Sequence, residues 1–167
     1  MQNEEILKGF QDTMRHIAAA VFAITTRHGG ERYGIVATAF SSVSFDPPSL
    51  LICVNKDTSI HEPLMQADRF CVNVLSLANR DVADCFMVHK GDDRFSVGEW
   101  ADDMGVPVLA NAQSSMICKM GARHAFGTHT IFIGELIGAH HRENAKPLIY
   151  YDRRYIDISQ APDQVTG

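Results

Sequence analysis

The side chains best suited to chemistry gather in the stretch from Tyr33 to Lys56 and just beyond it. Ser41, Ser42 and Ser44 surround Phe40 and Val43, and Lys56, Thr58 and Ser59 follow a short apolar run from Leu50 to Val54. Hydroxyls, one ammonium and the unpaired amides of a first helical turn after Asp57 are donors suited to a phosphate or a flat polar ligand. The same residues admit a plainer reading, in which serines cap an ordinary β-connection, Ser59 is an N-cap and Lys56 a surface charge. Arg69 and Arg123 are further cations whose plain reading is a solvated arginine. Composition and spacing leave both readings open.

Other chemistries find less support. His140 and His141 are adjacent, with His124 and His129 before them, but neighbours on a strand face opposite ways and no HExxH occurs, so no metal is expected. GxSxG, GxGxxG and GxxxxGK[ST] are all missing, which argues against a serine hydrolase elbow, a Rossmann site and a P-loop. Cys53, Cys71, Cys85 and Cys118 sit in apolar segments without a CxxC pair and read as reduced, buried thiols of a cytoplasmic protein. Asn73 interrupts an apolar strand, either as an edge amide or as a partner for a ligand or the barrel backbone.

These residues need elements to position them. Ile6, Phe10, Met14 and Ile17 recur at helical spacing and form one apolar stripe. A strand from about Ala20 and a strand over Gly34–Thr38 flank a hairpin at His28-Gly29-Gly30-Glu31. The central stretch reads strand, polar turn, strand, broken by Asp46-Pro47-Pro48. Ser59 and Glu62 have capping-box spacing for a helix over Ile60 to about Ala67. A strand over Arg69–Leu75 and a helix over Ala78 to about Val88 follow. Lys90 to Arg94 reads as a charged loop, and Phe95 to Pro107 as irregular. One or two strands over Leu109–Met120, a long strand over Thr128–Ala139 with bends at Gly134 and Gly138, and a strand over Pro147–Tyr151 complete the pattern. The residues from Gln160 are expected to fray. So many strands with interspersed helices and no regular βαβ alternation predict a closed antiparallel barrel with helical plugs.

The chain of 167 residues suits a single domain spanning 1–167, with its core at about 11–155. A net charge of -5 does not favour nucleic acid or an anionic membrane surface. Glu4, Glu5 and Lys8 argue against a signal peptide, and no apolar run reaches membrane-spanning length.

The run GIVATAFSSVSFDPPSLLICVNKDTS, followed by RFCVNVLS at 69–76, GTHTIFIGEL at 127–136 and PLIYYDRRY at 147–155, resembles the flavin reductase-like family. It is also similar to the reductase component of pyrimidine-degrading monooxygenases. The resemblance spans about Gln11 to Tyr155. It implies a mainly β fold, an FMN-binding split β-barrel of Greek-key topology with short flanking helices. It also implies a homodimer that reduces FMN, with FAD or riboflavin as alternatives, by NADH or NADPH. The reduced flavin would pass to a separate flavin-dependent monooxygenase. Thr38, Ala39 and Phe40 would lie along the isoalloxazine. Ser41 and Ser42 would reach the ribityl chain or phosphate, and Val54, Asn55, Lys56 and Ser59 would border the phosphate. Asn73 is a further candidate for the flavin. His129, in the GTH block, would position the nicotinamide, with Tyr155 closing over the same pocket. The family block usually reads GDH, and Thr128 stands here in place of the acidic residue. A barrel that holds FMN without turnover, or that binds haem or a pyridoxine phosphate, is the alternative class.

Overall fold

Two residues, Thr38 and Ala39, connect strands that lie at opposite ends of one seven-stranded antiparallel sheet, so the sheet must curl back on itself. The computed structural model describes residues 2–158, and the expected fraying from Gln160 lies outside them. Its helices are α1 (Gln2–Arg15), α2 (His61–Gln66) and α3 (Arg80–Val88). The strands are β1 (Ala19–Ala20), β2 (Phe22–His28), β3 (Glu31–Ala37), β4 (Phe40–Phe45), β5 (Pro48–Asn55) and β6 (Arg69–Val74). After them come β7 (Trp100–Asp103), β8 (Val106–Leu109), β9 (Ser114–Phe126), β10 (His129–His141), β11 (Ile149–Tyr151) and β12 (Arg154–Ile156).

The large sheet runs β3-β2-β6-β9-β10-β5-β4. Hairpins join β2 to β3, β4 to β5 and β9 to β10, and β6 inserts between β2 and β9. The end strands β3 and β4 do not pair with each other, so the barrel is split there. Packing closes the gap: Phe22 on β2 and Phe40 on β4 stack with ring centroids 4.6 Å apart, and the Cys53 amide donates to the Ala39 carbonyl at 3.2 Å. Inside, Phe22, Ile24, Leu50, Ile52, Val54, Phe70, Val72 and Phe132 form one buried cluster. On β5 the buried residues alternate at Leu50, Ile52 and Val54, as the period of a half-buried strand requires. A second cluster, including Leu75, Val82, Phe86, Phe95 and Leu148, packs α3 onto the outside of the sheet. Two small sheets, β1-β11-β12 and β7-β8, flank the barrel.

The structure agrees with the mainly β expectation and corrects several local readings. The segment read as a polar turn in the central stretch is the strand β4, an edge strand on which Ser41 and Ser42 are exposed and Ser44 is half-buried. A register shift between Ser42 and Ser44 hides its alternation. The expected capping box at Ser59 does not form. Ile60 is the N-cap of α2 without a side-chain bond, because the preceding turn is closed by the Asn55 and Thr58 side chains. Phe95–Pro107 is not irregular: a 3-10 turn over Gly91–Ser96 leads into the β7–β8 hairpin. The long strand β10 carries register shifts at Ile133/Gly134 and Leu136/Gly138, at the two glycines expected to bend it. A Cβ on Gly134 would stand 2.6 Å from both Cys118 and the Phe70 ring, so only glycine lets these strands meet there. The α1 stripe does not enter the core: Ile6, Leu7, Phe10, Met14 and Ile17 are all at least half exposed. The C-terminal end of α1 is tied down by Arg15, which donates to Asp152 at 2.5 Å. Among the described residues no helix is long and apolar enough to cross a membrane.

Candidate functional site

One end of the barrel collects most of the residues singled out from the sequence. β5 runs toward Asn55, whose partner on β10 is His129, and the amide of Cys53 holds the Thr38–Ala39 corner beside it. Thr38 and Ala39 are exposed and lie outside any strand, and their N–H groups have no partner among the described residues. Free, adjacent amides on a rigid corner are donors for the polar edge of a flat ring. Phe40 turns its ring inward against Phe22, so it supports the corner from below. Ser41 and Ser42 continue along the exposed edge strand, the Ser41 hydroxyl donating to the Ser42 carbonyl at 3.0 Å.

Past β5 the chain makes a tight turn. The Asn55 side chain accepts from the Asp57 amide at 2.9 Å, and the Thr58 hydroxyl donates to the Asn55 carbonyl at 2.7 Å. The Lys56 ammonium donates to the Gly127 carbonyl at 2.8 Å, and the Lys56 amide to the Thr128 carbonyl at 2.9 Å. These bonds tie the turn to the β9–β10 hairpin and bring Lys56 beside Thr128 and His129. His129 is exposed at the start of β10, its Nδ1 2.9 Å from the Thr128 hydroxyl. Ser59 is exposed, and its Oγ accepts from Nη1 of Arg94 at 3.3 Å.

Three assignments change. Val54 is only 2 % exposed as a residue, backbone included, lies in the core cluster and pairs with Thr130 on β10, so it supports the site from within the barrel. Asn73 is fully buried away from the mouth. Its amide donates to the Ala23 carbonyl at 3.0 Å and to the Thr25 hydroxyl at 3.3 Å, and its oxygen accepts from the Leu109 amide at 2.9 Å and the Ser115 hydroxyl at 3.0 Å. Those four bonds saturate its side chain, so it knits β2, β6, β8 and β9 together and holds no flavin. Among the described residues, the cavity that Tyr155 lines does not include His129. Tyr155 borders a cavity of about 190 Å³ with Thr38, Met87 and Tyr150. There the Tyr155 hydroxyl points to the Met87 sulfur at 3.7 Å, Arg80 lies over its ring, and burial raises its phenol above the ordinary value.

The remaining cations and thiols have structural work. Arg123 donates to the carbonyls of Leu64 and Ala67 at the end of α2, and Arg69 to the carbonyl of Met104. His140 and His141 part as strand geometry requires, one toward Asp103 and the other toward Ser114, each at 2.9 Å. All four cysteines are free thiols. Burial pushes Cys118 up to about 12 and Cys71 higher still, and it also raises the partly buried Cys53. None is poised as a nucleophile. Arg94 is the residue that sequence reasoning passed over. It stood among charged loop residues, and only the fold shows that it reaches Ser59.

Residues 14–159 match the family described as flavin reductase like domain. The chain is 38% identical over 162 residues to the reductase component of an FADH(2)-dependent resorcinol hydroxylase from Rhizobium sp., covering 95% of this chain and 90% of that protein. It is 37% identical over 148 residues to an FMN reductase (NADH), RutF, from Pseudomonas syringae pv. syringae, covering 87% of this chain and 83% of the relative. Among solved structures it superposes on the Streptomyces globisporus NADH:FAD oxidoreductase SgcE6 in complex with NAD and FAD fragments. The TM-score is 0.85 at 29% identity, with 92% of this chain and 93% of that one covered.

Proposed function

We propose, from the premise that this chain belongs to the flavin reductase like domain family, that its barrel mouth is the site of an NAD(P)H-dependent flavin reductase supplying a partner monooxygenase. The family match over residues 14–159 carries this reading, because every residue gathered at the mouth lies inside it. Bound flavin would supply the redox chemistry as the acceptor of a hydride from NAD(P)H, and as a dissociable product it would serve the separate oxygenase. FMN is the preferred flavin in this reading, with FAD and riboflavin as further acceptors.

The residues present fit such a ligand. The free amides of Thr38 and Ala39 would hold the polar edge of the isoalloxazine, on a corner that the Phe22–Phe40 stack keeps rigid. Ser41 and Ser42 lie opposite Leu51 and Leu50, on the side of the Thr38–Ala39 corner away from Asn55 and Lys56, and so offer hydroxyls to the isoalloxazine end of the ligand. Asn55, Lys56 and Ser59 border the phosphate end. His129 positions the nicotinamide. Hydride transfer requires donor and acceptor about 3–3.5 Å apart, and an exposed imidazole at the strand start can hydrogen-bond the nicotinamide or its phosphates. It orients and takes no proton, since hydride transfer needs no base.

The chain acts as one domain and works as a homodimer. The exposed stripe of α1, with Phe45 at 92% and Phe126 at 84% exposure, is apolar surface that a second copy would cover. Four free thiols fit a reducing, cytoplasmic setting. The test is to mix the protein anaerobically with FMN and either NADH or NADPH and follow flavin absorbance. Bleaching with at least one nucleotide is expected. Flavin that stays yellow with both overturns the assignment.

A further inference from the structure

His129 opens β10, paired with Phe126 on β9 and with Asn55 on β5. Residues directly opposite one another on antiparallel strands put their side chains on the same face, so these two are the cross-strand neighbours of the imidazole. Neither engages it through a polar group. Phe126 carries none, and the Asn55 side-chain oxygen is committed to the Asp57 amide at 2.9 Å. The group that does engage it is Thr128, whose hydroxyl lies 2.9 Å from His129 Nδ1. The backbone beneath that hydroxyl is held in place. Lys56 donates through its ammonium to the Gly127 carbonyl at 2.8 Å and through its amide to the Thr128 carbonyl at 2.9 Å. Gly127, at a φ of +54°, supplies the tight turn between the strands.

A histidine at the far end of the same strand supplies the contrast. His140 Nε2 meets the Asp103 carboxylate at 2.9 Å. An ionised carboxylate only accepts, so the ring nitrogen facing it must carry a proton. A hydroxyl is under no such restriction, since it can donate as well as accept. Among the described residues, His129 Nδ1 is the one hydrogen-bond partner of the Thr128 hydroxyl. In a neutral imidazole one nitrogen donates and the other accepts, and the bond made by one decides the role of the other. With Nδ1 accepting from Thr128, the proton sits on Nε2, on the side of the exposed ring away from its own backbone. An N–H there suits an acceptor oxygen, such as the carboxamide or a phosphate of a nicotinamide dinucleotide.

Resting on the flavin-reductase reading, we propose that Thr128 is a positioning residue that acts through His129. Its hydroxyl donates to Nδ1 and fixes the ring in the tautomer that presents Nε2–H to an acceptor oxygen of the nicotinamide dinucleotide. The plainer alternative is that the hydroxyl only trims the hairpin turn, which would leave nucleotide binding alone. Imidazole nitrogen NMR on the full chain, at pH about 8 where an ordinary histidine is neutral, reads the tautomer, with the His129 signals assigned by their loss in His129→Ala. A bare Nδ1 and a protonated Nε2 are expected, and a protonated Nδ1 overturns the proposal with no substitution of Thr128 needed. Thr128→Val, which keeps the branched shape and removes the hydroxyl, should raise the KM for the better of NADH and NADPH roughly twofold to tenfold, the worth of one neutral hydrogen bond. Its kcat and its FMN dissociation constant should stay close to wild type. Thr128→Ser should restore most of the loss. Thr128→Asp, which gives His129 the kind of partner that His140 has, should move the proton to Nδ1. In a His129→Ala background, Thr128→Val should add nothing, because the hydroxyl acts only through the ring. A further loss there, or an unchanged KM in folded Thr128→Val, overturns the proposal while the reductase reading stands. A wild type that reduces flavin with neither nucleotide overturns that reading, and this one with it.

Discussion

Replacing Asn73 by leucine tests whether this buried amide belongs to the scaffold or to the site. The side chain is fully buried and makes four hydrogen bonds, but they are not equal. Thr25 keeps a second partner, donating to the Pro107 carbonyl at 2.6 Å, so it is not orphaned. The Leu109 amide and the Ser115 hydroxyl lose the acceptor they share. A buried donor left unsatisfied costs about 1–3 kcal/mol, so two cost about 2–6 kcal/mol. That is a large part of a typical stability of roughly 5–15 kcal/mol. At about 2–4 °C per kcal/mol for a domain of this size, the melting temperature should fall by roughly 5–20 °C. Leucine matches asparagine in its branching but its methyls are bulkier, so no cavity forms and any overpacking of this buried position adds to the loss. Thermal and urea unfolding measure the loss, and an FMN titration at a temperature where the variant is folded should give nearly wild-type affinity. A stability change under about 1 kcal/mol would refute the reasoning about orphaned donors, and a selective loss of FMN binding in a stable variant would return Asn73 to the site.

Further outcomes follow from the same structure. His129→Ala should raise the KM for NADH or slow flavin reduction roughly tenfold, for about 1.4 kcal/mol lost, with FMN affinity nearly unchanged; stopped-flow reduction and a flavin titration check it, and unaltered reduction removes His129 from the site. Gly34→Ala should destabilise the fold by about 1–3 kcal/mol in urea titrations, because an added Cβ would meet the Phe86 ring at 2.4 Å. Arg15, as hydrogen-bond donor first, holds the Asp152 carboxyl below the usual range. A depressed folded pKa contributes stability above the unfolded value and loses it as pH falls through the folded one, so the anchoring of α1 should weaken below about pH 4. Hydrogen-exchange protection near Arg15 should fall there, and Arg15→Gln should remove that dependence. Cys71 and Cys118, buried with their thiols raised, should react with a thiol reagent at pH about 8 only after unfolding, while Cys53 reacts in the native protein.

The sequence carried the large features because they are local patterns. β5 could be read from Leu50, Ile52 and Val54 among neighbours bounded by prolines, and β10 from a long β-branched run with glycines at its bulges. The corner at Thr38 and Ala39 was legible only as part of a motif. What was hidden depends on residues far apart in the chain. The partners of Asn73 come from positions 23, 25, 109 and 115, and no window of sequence contains them. β4 looked like a turn because an edge strand can expose its hydroxyls and because its register shift breaks the alternation. Ser59 and Glu62 had the spacing of a capping box, but Asn55 and Thr58 close the turn first and leave Ser59 to Arg94. Arg94 itself carried no signal until α3, β3 and the turn after β5 came together around it.

The central claim, that the mouth at Thr38–Ala39 turns over flavin with NAD(P)H, meets its most direct test in an anaerobic assay with FMN in large excess over protein. The account predicts that each chain bleaches many equivalents of FMN, and that the reduced flavin, free to cross a dialysis membrane, reduces an acceptor on the other side. Bleaching that stops at one equivalent per chain, with no reduction across the membrane, would contradict it.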